Sequence, residues 1–269
     1  MPLPIIQPSS QPTPQTLLRL FRQTELNWAR HLAQEQVLDM GTALFNPELP
    51  DVPGANFIMD AIVPQATPPA DALAQAAAFY QDKATRLRGI IPNSSVDTAI
   101  LRRSLASAGW RAHPRQVLRL SRRPAASLLP TPGTIRIIPT RASFRHARQL
   151  AEQFTAGDQQ QTEAALLHLD DPHVDALLAL RDGQAVAGIS VLAMGDVGRI
   201  DQLYVAEPFR RQGLGRLMLS RALEICARAL FKHVLVSCPP EAFAAQPLLA
   251  GVGFEPVGAM EEYLAPGRV

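Results

Sequence analysis

The sequence predicts an α/β (α+β) fold built in two similar halves. Strand-like apolar runs alternate with amphipathic helical stretches along the whole chain. The order strand, helix, strand, proline, helix, Gly-aromatic pair occurs twice at an offset of 144 positions, which lays Trp110 on Phe254 and Met59 on Leu203. Of the 269 residues 47% are hydrophobic and 19% charged, a composition that can close a core and excludes a chain disordered throughout.

In the first half the spacing predicts a helix over 15–38, irregular proline-bearing chain, and a short apolar strand over 57–63. A helix over 71–83, a strand over 87–91 ended by Pro92, a helix over 95–108 repeating Ile100, Leu101 and Leu105, and a strand over 116–120 follow. Residues 121–133 (SRRPAASLLPTPG) concentrate turn formers and read as a linker, which divides the chain into 1–125 and 133–269. The second half reads as a strand over 134–138, a helix over 142–155 and a short helix around 163–169. Strands over 174–180 and 184–194 flank Arg181-Asp182-Gly183, whose backbone freedom suits a hairpin turn. A strand over 199–205 then runs into Arg210-Arg211-Gln212-Gly213-Leu214-Gly215. Beyond it Leu214, Leu217, Met218, Ala222, Ile225, Cys226 and Ala229 mark one helix face. A strand over 233–237, a break at Pro239-Pro240 and a short helix up to Gly253-Phe254 complete the reading.

Composition narrows the function classes. With 26 Lys and Arg against 24 Asp and Glu there is no basic footprint for nucleic acid. No apolar run reaches the roughly 18–20 residues of a membrane span, and the proline-rich start lacks the pattern of a secretory signal. Cys226 and Cys238 make no disulfide framework and lack zinc-site spacing. A cytoplasmic protein is expected. His168, Asp170, Asp171, His173 and Asp175 crowd a polar connector around Pro172, where helix ending and solvation account for them, so no metal is expected. Their carboxylates are alternatively placed to attract a cationic amine. No Gly-x-Ser-x-Gly elbow supports nucleophilic hydrolysis.

The chemistry concentrates where a strand meets a glycine-rich turn opening a helix. Such a turn presents unpaired amides and the positive end of the helix dipole to an anion. Gly213 and Gly215 hold no Cβ against a phosphate, and Arg210, Arg211 and Arg216 add charged donors. A P-loop needs Gly-Lys and a hydroxyl residue, and a dinucleotide fingerprint needs a third glycine where Met218 stands. Arg210-x-x-Gly213-x-Gly215, after the strand end Leu203-Tyr204-Val205 and before Gly253-Phe254, resembles the signature of the GNAT superfamily of N-acetyltransferases. The resemblance covers 134–264. It implies domains with a mixed, mostly antiparallel central sheet flanked by helices. It further implies acetyl-CoA as co-substrate, its pyrophosphate on the amides of Gln212, Gly213, Leu214 and Gly215, and its pantetheine arm paired with Leu203, Tyr204 and Val205 like an added strand.

The chain departs from the family's pattern at two positions. Leu249 stands where a tyrosine often donates a proton to the leaving thiolate, and Phe243 where an asparagine usually precedes it. Water, another tyrosine such as Tyr263, or no catalysis at all are the options left. Asp201, two residues before Leu203 and so on the same alternating face, is the candidate base, against a reading as a solvated or salt-bridged carboxylate. The first half resembles the family more faintly, as a degenerate copy. At the cradle it has Pro68 and Pro69, which bring no N–H, and Asp71, which repels phosphate, so no acetyl-CoA is expected there. The expected function is transfer of an acetyl group to a primary amine, of a small molecule or a peptide, by direct attack in a ternary complex. A noncatalytic acyl-CoA-binding regulatory module is the alternative. Homodimers are common in the family.

Overall fold

The computed structural model describes residues 12–122, 134–239, 242 and 245–266; the expected linker beyond Arg122 and Phe243 lie outside them. In the first half the described elements are α1 (Pro14–Arg30), β1 (Gln34–Leu38), β2 (Gly41–Phe45), β3 (Phe57–Ala61), α2 (Pro69–Asp82), β4 (Gly89–Pro92), α3 (Ala99–Ser107) and β5 (Arg111–Leu120). The second half holds β6 (Ile135–Pro139), α4 (Phe144–Phe154), α5 (Gln159–Leu167), β7 (Val174–Arg181), β8 (Gln184–Met194), β9 (Val197–Val205), α6 (Leu214–Arg228), β10 (His233–Cys238), α7 (Gln246–Gly251) and β11 (Phe254–Leu264). This is an α/β fold with a mixed central sheet flanked by helices. One sheet takes all eleven strands, in the order β1-β2-β3-β4-β11-β5-β10-β9-β8-β7-β6.

Local chemistry explains many of the boundaries. Pro14 opens α1 behind Thr13, whose side chain accepts from Thr16 N at 3.2 Å. Asp182 (φ +51°) and Gly183 (φ +76°) form the two-residue turn between Arg181 and Gln184, the twist-matched hairpin connection that the sequence predicts. The helix expected over 15–38 ends at Arg30, because Gln34 to Leu38 turns back on itself as β1 and pairs with β2. Gly41, at φ +144°, allows that return: a Cβ there would lie 2.7 Å from Met59 O. β2 replaces part of the irregular chain expected after 38, and the closing strand β11 has no counterpart in the sequence reading.

The halves exchange their last strands. β5, from the first half, pairs with β10 of the second, and β11, from the second half, reaches back to pair with β4 and β5. Helices cover both faces. On one, α2 and α3 pack on Ile58, Ile90 and Tyr263, and α6 on Leu118, Ile200 and Val236. On the other, α1 packs on Phe57, Val117 and Leu235, and α4 on Leu178 and Leu180. Among the described residues no helix is long and apolar enough to cross a membrane.

Candidate functional site

Two local features of the second half meet at the end of β9. The first is the turn. Arg211 takes φ +62° and Gly213 φ +81°, and Gly213 is the N-cap of α6 with no side chain capping it. Leu217 N donates to Gly213 O at 3.0 Å as the first helical bond, so the amides of Leu214, Gly215 and Arg216 have no acceptor within the helix. A Cβ on Gly213 would meet nothing within 4 Å, and the left-handed backbone is what selects glycine there. At Gly215 space decides instead, since a Cβ would press on Leu248 Cδ2 at 3.2 Å. Arg210, Arg211 and Arg216 are exposed around the turn. Gln212 braces it, accepting from Arg181 Nη1 at 2.8 Å and donating to Pro208 O at 3.1 Å. Arg210 Nε donates to Val205 O at 3.1 Å.

The second feature is an opening in the sheet. β9 and β10 run parallel and pair only over Val197, Gly198, Arg199 and Ile200, so 201–205 has no pairing on that side among the described residues. On its other side β9 carries an extra residue: Gly188 pairs with Tyr204 and Ser190 with Asp201, with Gln202 at φ +51°. This bulge corrects the expected placement of Asp201. Ile200, Leu203 and Val205 pack on the α6 face, whereas Asp201 and Tyr204 point to the face of α1 and α4, because one inserted residue reverses the alternation.

On that face Asp201 joins a buried ion network. It accepts from Arg199 Nη2 and, at 2.8 Å, from Gln202 N. Arg199, 3% exposed, also meets Glu25 Oε1 at 2.7 Å, and Arg115 grips Glu25 with a two-pronged contact of 3.1 and 2.8 Å while standing 3.6 Å from Glu262. The Arg199 guanidinium lies 5.0 Å from the Phe21 ring and 5.6 Å from Trp28. Burial raises the Glu25 carboxyl, but Arg115 and Arg199 outweigh it and leave the group below the ordinary value. Glu25, Arg115 and Arg199 escape sequence reasoning because α1, β5 and β9 bring them together from remote positions; a lone charge inside an apolar strand pattern is the only signal.

Tyr263 is placed elsewhere. It pairs with Ile90 and is buried among Ile58, Tyr80 and Leu101 in the first half's core, three strands from β9. Leu249 is buried beneath α6. In the polar connector, Asp171 is held by His31 (2.7 Å) and His173 (3.0 Å), and Arg141 binds the carbonyls of Leu169, Asp171 and Val174. Asp171 is thus engaged in fixing a corner, while Asp170 is exposed. Among the described residues no three His, Cys, Asp or Glu converge as metal ligands.

His168 stacks on Trp28 at 3.5 Å between ring centroids and donates from Nε2 to Trp28 O at 3.1 Å. Burial, the main cause, pushes its imidazole down to about 4. The unfolded chain titrates near ~6.5, so it takes up a proton that the folded one refuses, and stability falls as pH drops from about 6.5 to 4. We expect His168→Gln to flatten that slope, read as the urea midpoint at pH 7 and pH 5.

Residues 142–254 match the Acetyltransferase (GNAT) family. Over those residues the second half is similar to that family. The two halves together are similar in fold to a GCN5-related N-acetyltransferase from Kribbella flavida, at 17% identity over 93% of this chain and 95% of that one, with a TM-score of 0.64. A functionally unknown conserved protein from Staphylococcus epidermidis ATCC 12228 gives 14%, 88%, 95% and 0.63. A tandem GNAT protein from the clavulanic acid biosynthesis pathway gives 16%, 79%, 76% and 0.56. At these identities the likeness is one of fold. No curated protein is similar enough in sequence to match the chain.

Proposed function

We propose that this chain is an acetyl-CoA-dependent N-acetyltransferase in tandem form, with a degenerate copy over 1–125 and the cofactor-binding copy over 133–269. The observation that carries the reading is the coincidence of the open amide turn at Gly213 with the β9 edge at Leu203, Tyr204 and Val205, which β10 does not pair and where Val205 O accepts from Arg210 Nε. The amides of Gln212, Gly213, Leu214 and Gly215, with Arg210, Arg211 and Arg216, suit a diphosphate. The β9 edge suits an extended amide-bearing arm. Bound there, acetyl-CoA supplies the activated acyl group. The acceptor is a primary amine: its ammonium gives one proton to water, the freed nitrogen lone pair bonds the acyl carbon, the C–S bond breaks, and the second proton lost from nitrogen neutralises the thiolate. Asp201 is anchored by Arg199 and Gln202 and acts here as a fixed charge orienting the ammonium rather than as a base.

The first half differs at both features. Its parallel pair β3 and β4 also carries a bulge, with Asp60 at φ +56°, but pairing continues to Ala61 and Pro92, and Asn93 N donates to Ala61 O at 2.9 Å, closing the gap. Pro68 and Pro69 open α2 where amides are needed. We expect calorimetry to find one acetyl-CoA per chain; two would overturn the degenerate assignment. A regulatory acyl-CoA-binding module is the second reading, favoured by the apolar Leu249 and the distant Tyr263. Amine-dependent thiol release separates the two, because the transfer reading alone requires it.

A further inference from the structure

The face of β9 opposite α6 contains a cavity of about 70 Å3, lying between α4 and α5 and the strands β7, β8 and β9 and open to solvent on one side. Leu150, Phe154, Leu166 and Leu178 form its walls, and Gln202 and Tyr204 bring it to the bulge. Every residue lining it is uncharged. Phe154 is 54% exposed and meets the Tyr204 ring edge-on at 5.3 Å, so the aromatic pair marks where the cavity reaches solvent. Gly188 lies opposite Tyr204, where a Cβ would stand 2.8 Å from Leu150 Cδ2; glycine keeps this wall thin.

Resting on the transfer reading above, we propose that this cavity receives the carbon chain of the acceptor, which is a primary amine bearing a short uncharged aliphatic group. A carrier seated on the Gly213 turn enters from the α6 side, which leaves the Tyr204 side of β9 to the nucleophile. An apolar cavity of ~150 Å3 takes benzene, so half that volume takes about three carbon atoms. A charged chain finds no partner among the lining residues and loses its hydration on entry. The polar rim groups, Gln202 and the Tyr204 hydroxyl, are left to meet the amine end.

The test uses the full chain with acetyl-CoA and the series methylamine, ethylamine, propylamine and hexylamine, read as thiol release. Apolar burial predicts that kcat/KM rises about fourfold per added methylene up to propylamine and rises no further at hexylamine. Ala151→Leu, which fills the cavity from α4, is expected to lower kcat/KM for propylamine at least tenfold and for methylamine less than twofold. Should that variant fail to fold, Ala165→Val intrudes on the same space from α5. A rate independent of chain length, or a variant that slows every amine equally, overturns the assignment while transfer itself stands. If no amine releases thiol although acetyl-CoA binds, the transfer reading falls and this inference with it.

Discussion

Gly213→Asp is expected to weaken acetyl-CoA binding by about a hundredfold or more. The substituted carboxylate would stand at the N-cap of α6, beside the amides of Leu214 and Gly215. Two unit charges about 4 Å apart repel by roughly 4 kcal/mol at an effective dielectric near 20; solvent screening at this exposed turn reduces that, and about 2.7 kcal/mol already gives a hundredfold. The aspartate also caps the helix itself, taking amides that the ligand needs. Gly213→Ala separates charge from conformation. Its Cβ meets open space, so the cost is that of holding alanine at φ +81°, roughly 1–2 kcal/mol of stability, with affinity much less affected. Calorimetry, with thermal protection by acetyl-CoA as a second readout, distinguishes the pair. An aspartate variant that binds as tightly as the parent would exclude the turn as the diphosphate site.

Glu25→Ala is expected to be the most destabilising single change, at about 3–5 kcal/mol. Glu25 is 8% exposed and answers two guanidiniums, the buried Arg199 and the half-buried Arg115. Its removal leaves both short of counter-charge, Arg199 where only 3% of its surface reaches solvent. The effect crosses the molecule: Arg199 also holds Asp201 at the bulge, so a residue of the first helix supports the site of the other half. Urea unfolding measures the loss. Because the folded carboxyl lies below its unfolded value, the stabilisation is complete above the unfolded value of about 4.3 and disappears as pH falls through the folded one. The gap between parent and variant should therefore hold from neutral pH down to about pH 5 and narrow in stronger acid. A variant as stable as the parent at pH 7 would show that the network contributes nothing net.

Legibility followed the range of the interactions. The hairpin at Asp182-Gly183 and the turn at Gly213 could be read directly, since a positive φ restricts which residues are tolerated and that restriction is written in a few adjacent letters. The amphipathic face of α6 was equally open, with Leu217, Met218 and Ala222 buried as their spacing predicts. β1 was read as the end of α1 because Gln34 to Leu38 has no strong period of its own; pairing with β2 makes it a strand. The face of Asp201 was misread because a bulge is invisible until the partner strand supplies the register.

The amino-acid order alone determined the glycine turn and its arginine surround, since these depend on local backbone preference and on charge carried by neighbouring residues. The tertiary structure decided which strand completes each half, where Asp201 and Tyr263 lie, and that Glu25 serves Arg199 across 174 positions. Contacts over such separations arise from burial and pairing among many segments at once, and no short window of sequence contains them.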